Sequence, residues 1–249
     1  MARLIERIVE EPRPCSYLDG VTAQLEHLVL LDVDAVELEA MLERGWRRFG
    51  PDYFRPACPS CSQCLPTRIV AADLEPSRSQ RRAKNRSARF EVAVGPPKVD
   101  AERLALYARW HADRERTRDW PVSSLDARTY ALQFAFPHPA AREVTYTDVD
   151  TGRLVGVGLC DETPRAWSAA YFFYDPDYAR CSLGIANVLT VCDIAAQAGK
   201  PHVYLGFHVA ACASLRYKGA FEPSEVLVGW PAFDERPRWV APGAAAAGR

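Results

Sequence analysis

The chain has no apolar run approaching the length of a membrane-crossing helix, so a bilayer-spanning role is not expected. Its start, MARLIERIVEEPRP, is charged and breaks off at prolines, which does not read as a secretory leader. It has no excess of charge of either sign. The 31 Lys and Arg nearly balance 32 Asp and Glu, which argues against general adhesion to polyanions. No Ser-His-Asp or Cys-His set stands at a suggestive spacing, so nothing points to a covalent nucleophile. These absences leave a cytoplasmic protein of ordinary composition. At 249 residues and 48% hydrophobic it has enough material for one large domain or two modest ones.

The balance of charge is uneven along the chain. From Arg44 to Arg89 eleven basic residues face only three acidic ones, the footprint of a localised polyanion site. Cysteine is uneven too. Cys160, Cys181, Cys192 and Cys212 are scattered among apolar neighbours and read as small core residues. Cys58, Cys61 and Cys64 instead stand three apart in FRPACPSCSQCLPTR. With Cys15 they make four, the number that encloses a zinc ion or an iron–sulfur cluster. Spacing does not separate the two metals, and reduced loop thiols are the alternative. A disulfide framework is not expected in a reducing compartment.

Periodicity then orders the chain. Val36, Leu38, Met41 and Leu42 fall at near-helical spacing, with Gly45 as a stop. A proline- and cysteine-rich loop leads to a short strand near Thr67–Ala71. Ser77 and Gln80 form a capping box. The helix it opens carries Arg78, Arg81, Arg82, Lys84, Arg86 and Arg89, a stripe suited to phosphates. The strand FEVAV and the break GPPK close a first unit near residue 98.

Helices over 101–116 and 126–135 open the second unit. REVTYTDV, RLVGVGLC and AWSAAYFFY then read as a three-strand antiparallel meander. A helix from Ser182 to Ala198 follows, then a strand HVYLGF, a short helical stretch and a strand EVLVGW. The tail, 241–249, reads as disordered. The expected class is α+β: a smaller cysteine-containing N-terminal domain (1–98) and a C-terminal domain (99–240). The order of elements in the latter resembles the GCN5-related acyltransferase (GNAT) core. In that fold the helix after the third strand offers its N-terminus, here near Gly184, to a phosphate.

Several stretches resemble one family together: PCSYLDG, GWRRFG, FRPACPSCSQCLPTR, PSRSQRR, YFFYDPDYARCSLG and YLGFHVAACASLRYKGAFEP. They are similar, in the same order, to the aminoacyl-tRNA–protein transferases of the arginyltransferase type, and most to the bacterial aspartate/glutamate leucyltransferase branch. The resemblance implies transfer of an aminoacyl group, leucine favoured and arginine the competitor, from charged tRNA. The acceptor is the N-terminal amine of a protein beginning with Asp or Glu, marked in this way for degradation by an N-degron route. Eukaryotic relatives suggest a metal cluster on the cysteines. Cys181 stands where the family usually has arginine, and Gly219 where it usually has alanine. A coenzyme A-dependent acetyltransferase and a non-enzymatic RNA or N-degron binder are the alternatives.

The aminoacyl ester is already activated, so transfer needs no cofactor, and a metal here would be structural or regulatory. The chemistry is positioning, a neutral acceptor amine and stabilisation of an oxyanion. Candidates lie at strand ends of the second unit. Asp175 is a base or anchor for the amine, Tyr204 a partner of the ester, and Lys218 a partner of the acceptor carboxylate or of tRNA phosphates. Tyr171, Phe173, Gly184 and Tyr217 are candidates for substrate contact. Strand aromatics are most often core, the plainer reading of Phe172 and Phe173.

Overall fold

Polar residues at helix starts and glycines at helix ends set many of the element boundaries. The computed structural model describes residues 1–122 and 125–245. After β1 (Arg3–Val9) and the short ribbon β2 (Arg13–Pro14) and β3 (Thr22–Ala23) comes β4 (Leu25–Leu31). Asp34 then caps α1 (Ala35–Glu43), exchanging bonds with Glu37 in a capping box. Leu38, Met41 and Leu42 are its buried stripe, Val36 stays exposed, and Gly45 turns the chain at φ +82°. β5 (Arg47–Phe49) and β6 (Asp52–Pro56) follow. With β1 and β4 they make a four-stranded sheet in the order β1-β4-β6-β5, so β5 is an edge strand.

The next elements are β7 (Leu65–Val70), α2 (Arg78–Ser87), β8 (Phe90–Gly95), α3 (Ala101–Arg118) and α4 (Ala127–Phe134). Ser77 caps α2 with Gln80 in the expected box. The meander is β9 (Ala141–Asp148), β10 (Leu154–Glu162) and β11 (Ala166–Tyr174). It is followed by α5 (Leu183–Gln197), β12 (His202–His208), β13 (Ser224–Leu227), β14 (Trp239–Val240) and α6 (Pro242–Ala245). Eight of these strands form one sheet in the order β14-β13-β7-β12-β11-β10-β9-β8. The architecture is mixed α/β.

A boundary at residue 98 does not follow the sheets. β7 lies antiparallel between β12 and β13, and β8 pairs with β9, so both belong to the larger sheet. The smaller sheet ends at Pro56. A local pattern reveals a strand but not its partner, which is why composition placed these two strands with the first unit. The expected tail also differs: Pro242–Ala245 form α6, and residues 246–249 lie outside the described residues.

Three apolar clusters fix the layers. α5 covers one face of the larger sheet with Leu183, Val188, Leu189 and Val191. α3 and α4 cover other strand positions through Leu106, Tyr107, Trp110 and Tyr130, which pack with Val157 and Phe173. α1 and the smaller sheet meet β12 through Leu38, Trp46, Tyr53 and Tyr204. A buried ion pair between Arg48 on β5 and Asp161 on β10 ties the sheets together.

Candidate functional site

The larger sheet contains a fork. β11 and β12 run parallel but pair only where Ala166–Ser168 meet His202–Tyr204. Beyond that point they separate, and a cavity of about 700 Å³ opens between Ala169–Phe172 and Leu205–Phe207. Two irregularities shape it. The register of β11 against β10 slips between Ala169 and Tyr171, leaving Ala170 as the extra residue of a bulge. That of β12 against β7 slips between Tyr204 and Gly206, where Gly206 takes φ +75°.

Arg47, from the edge strand β5, reaches into the fork. Its Nη2 donates to the carbonyls of Ala169 and Ala170 at 3.0 and 3.2 Å, and its Nη1 to Ser168 Oγ at 3.4 Å. All three acceptors are neutral. Burial pulls its pKa below the usual guanidinium range, yet that range is so high that the group stays charged at neutral pH. A Cβ on Gly206 would stand 2.9 Å from the Arg47 Cζ, so glycine is required by contact as well as by backbone.

The far wall is the 3₁₀ turn Arg216–Ala220, with Tyr217 and Lys218 facing the cavity. Burial, and then the neighbouring Arg47, push the Lys218 ammonium down to about 7. The same burial lowers His208 on β12, with Lys218 as the second cause. The near wall is α3. Trp110, Arg114 and Arg118 line the cavity with Trp120 just beyond, and Arg114 lies 3.8 Å over the Trp110 ring. Arg114 also donates to the Tyr174 hydroxyl at 3.1 Å. The sequence reading did not single out Trp110, Arg114 and Arg118, whose spacing of four along a helix is the signal that could have found them. Aromatic surface comes from Phe49, Phe54, Tyr171 and Phe172. None of the described residues lining the cavity is Asp or Glu. A second cavity, about 550 Å³, lies between Leu30–Val33 and Phe136–Pro139. Among the described residues lining it the one carboxylate, Asp32, is paired with Arg3, and burial lowers His138 to about 4, leaving it neutral at pH 7.

Of the expected residues, the cavity gathers Tyr171, Gly184, Tyr217 and Lys218. It does not gather the other three. Asp175 is 1% exposed, and its carboxylate accepts from Arg109 at 3.0 Å, Arg153 at 2.8 Å and the Asp177 N–H at 3.1 Å. It closes a turn. Tyr204 packs with α1, accepts from Arg68 at 3.3 Å and is pushed up to about 12, chiefly by burial. Phe173 is fully buried beneath α3 and α4.

The basic helix α2 is also sorted. Lys84 pairs with Asp193 on α5, Arg86 donates to the Arg180 carbonyl, and Arg89 pairs with Asp148 and Asp150. Arg81 donates to the Pro76 carbonyl, while among the described residues the side chains of Arg78 and Arg82 make no hydrogen bond or ion pair. All six are exposed. The buried Gln80 donates to the Ala220 carbonyl at 2.9 Å, fixing α2 to the turn that carries Lys218.

The four cysteines expected to act together are neighbours. Cys58 exchanges contacts with the Gln24 backbone, its thiol donating to the carbonyl at 3.5 Å, and Cys15 Sγ accepts from the Tyr17 N–H at 3.4 Å. Burial first, then Cys58, Cys15 and Cys61, push the Cys64 thiol up to about 12. Among the described residues no group of three or more Cys, His, Asp or Glu is arranged to hold a metal ion. Cys15, Cys58, Cys61 and Cys64, the expected metal set, thus stand near one another without forming such a group among the described residues. No helix among the described residues is long and apolar enough to cross a membrane.

Residues 13–82 match the family described as arginine-tRNA-protein transferase, N terminus, and residues 102–228 match its C terminus. The chain is 31% identical to an aspartate/glutamate leucyltransferase of Helicobacter hepaticus, over 95% of this chain and 98% of that protein. It is 35% identical to one of the same name from a Ruegeria species, over 89% of this chain and 80% of that protein. Among solved structures, the ribosomal-protein-S18-alanine N-acetyltransferase from Escherichia coli is 16% identical with a TM-score of 0.31, covering 44% of this chain and 63% of that one.

Proposed function

Since the chain belongs to the arginine-tRNA-protein transferase family, we propose that it moves leucine from leucyl-tRNA to the N-terminal amine of proteins beginning with Asp or Glu. It is an aminoacyltransferase, and its products would enter an N-degron route of degradation. The choice of leucine over arginine rests on one observation: the cavity is walled by aromatic and aliphatic surface and by Arg47, Arg114, Arg118 and Lys218, with no acid. An arginyl side chain would bring a fifth cation among four. A leucyl side chain fits the apolar floor formed by Phe49, Phe54, Tyr171 and Phe172.

The meander β9–β11, the helix α5 and the parallel strand β12 support a GNAT-like reading of the larger sheet. The fork between β11 and β12 is then where donor ester and acceptor amine meet. The ester is activated, so the chain's contribution is to hold the two reactants together in a site of low dielectric. Gly184 opens the first turn of α5 to the cavity, and Tyr217 is a hydrogen-bonding group beside it. The exposed side of α2, above all Arg78, Arg81 and Arg82, is assigned to the tRNA backbone.

The test is a transfer assay with purified protein. Peptides beginning with Asp, Glu, Lys or Ala are offered separately with leucyl-tRNA, arginyl-tRNA and acetyl-coenzyme A. Leucine on the Asp and Glu peptides alone is expected. Arginine transfer would move the donor assignment, and acetylation would overturn the reaction class.

A further inference from the structure

We infer that Arg47 and Lys218 together form the receptor for the acidic side chain of the acceptor's first residue. This deepens the proposed function and rests on it. Two of the four cations lining the cavity repel each other, Arg47 acting on Lys218, while Arg114 and Arg118 lie on the α3 wall. Among the described residues neither Arg47 nor Lys218 makes an ion pair, and Lys218 makes no hydrogen bond through Nζ. The bonds of Arg47 go to two carbonyls and a hydroxyl, which orient the guanidinium without neutralising it. Asp161, the nearest acidic influence on Arg47, is itself paired with Arg48, so partly buried charges here have no ion-pair partner of their own, and sites keep such charges where a ligand supplies the opposite sign.

The missing negative charge must enter with the substrate, because no acid lines the cavity. Two substrates carry one: the acceptor, on its side chain, and tRNA, on its phosphates. Position favours the acceptor. Arg47 lies at the closed end of the fork, against strand carbonyls, where a carboxylate on a stem of one or two methylenes reaches. Cations suited to a polynucleotide backbone lie away from that end, Arg118 on the α3 wall and Arg78 and Arg82 outside on α2. A planar guanidinium set opposite an ammonium also suits the two oxygens of one carboxylate. Lys218 thus serves as a binding cation for the acceptor. Arg47 is the specificity residue that reading the sequence missed, visible there only as one member of the basic block.

Peptides beginning with Asp and Asn differ in charge at nearly constant shape, and they provide the test. Equilibrium binding of each is measured on the intact protein and on Lys218→Met and Arg47→Gln, alongside binding of leucyl-tRNA. The wild-type protein is expected to prefer the Asp peptide by on the order of a hundredfold. Each variant should bring the Asp peptide towards the Asn level, raise its KM more than it lowers kcat, and leave leucyl-tRNA binding unchanged. Arg47→Gln removes bonds that hold the fork, so Lys218→Met, which breaks none, decides if the first variant does not fold. Equal loss of both peptides, or weakened leucyl-tRNA binding with the Asp preference intact, overturns the receptor. Wild-type protein that prefers Asp but transfers no leucine would sink the activity and leave the receptor standing. Transfer indifferent to Asp or Asn would do the reverse.

Discussion

A lysine facing Arg47 across a cavity destabilises the fold that holds it. The folded-state pKa of Lys218 is about 7, against 10.5 for a free lysine side chain. Between those values the unfolded chain binds more protons, so stability rises with pH. The penalty is therefore present in full below about pH 7. Lys218→Met should raise Tm by a few degrees at pH 6.5 and by less at pH 9, measured by calorimetry. Binding should show the opposite preference. The groups that face Lys218 are Arg47 from β5, Cys64, Cys212, Tyr217 and His208. Cys64 and Tyr217 are pushed towards their neutral forms and His208 is lowered, so the ammonium itself carries the pH response. Affinity for an Asp peptide should fall as pH rises through 7 in the wild type, and Lys218→Met should flatten that fall. Gly206 offers a second handle at this scale. Gly206→Ala imposes a side chain at φ +75° and presses it onto the Arg47 guanidinium. A loss of about 1–3 kcal/mol in denaturant unfolding is expected, with a larger loss of transfer to Asp peptides than of leucyl-tRNA binding.

At the scale of elements, α2 joins two tasks, since its outer side is cationic and its inner Gln80 holds the Lys218 turn. Replacing Arg78, Arg81 and Arg82 by Gln should lower tRNA affinity and flatten its salt dependence by roughly one unit of log–log slope per lost phosphate contact. A wild-type affinity that ignores salt would remove α2 from the tRNA site. Ser77→Ala should cost about 1 kcal/mol of stability through the lost cap. This helix was legible in the sequence because its cap, its charges and its buried side are all local signals. So were α3, α5 and the meander β9–β11. The smaller sheet was not foreseen, because β1 is exposed along its whole length and β5 and β6 are too short to show a period. The site was legible in part. Tyr171, Tyr217 and Lys218 face the cavity, but Tyr204 stands in the last paired position before the fork and packs against α1 instead. Asp175 looked free because its partners, Arg109 and Arg153, are distant in sequence.

For the whole molecule, the cavity exists only where the two sheets meet. Arg47 belongs to the smaller sheet and Lys218 follows a strand of the larger, so neither sheet carries the receptor alone. The buried Arg48–Asp161 pair spans the same junction. Asp161→Ala leaves the Arg48 charge uncompensated and should cost about 3–5 kcal/mol. Far-ultraviolet and tryptophan signals should still lose structure together on denaturation; separate transitions would show that the sheets unfold independently. The place of β7 has a consequence in time. It is made early, yet its neighbours β12 and β13 begin at residues 202 and 224. At about 5–20 residues per second of synthesis, its edges wait on the order of ten seconds for their partners. The first strand of this sheet to leave the ribosome is among the last to find its place.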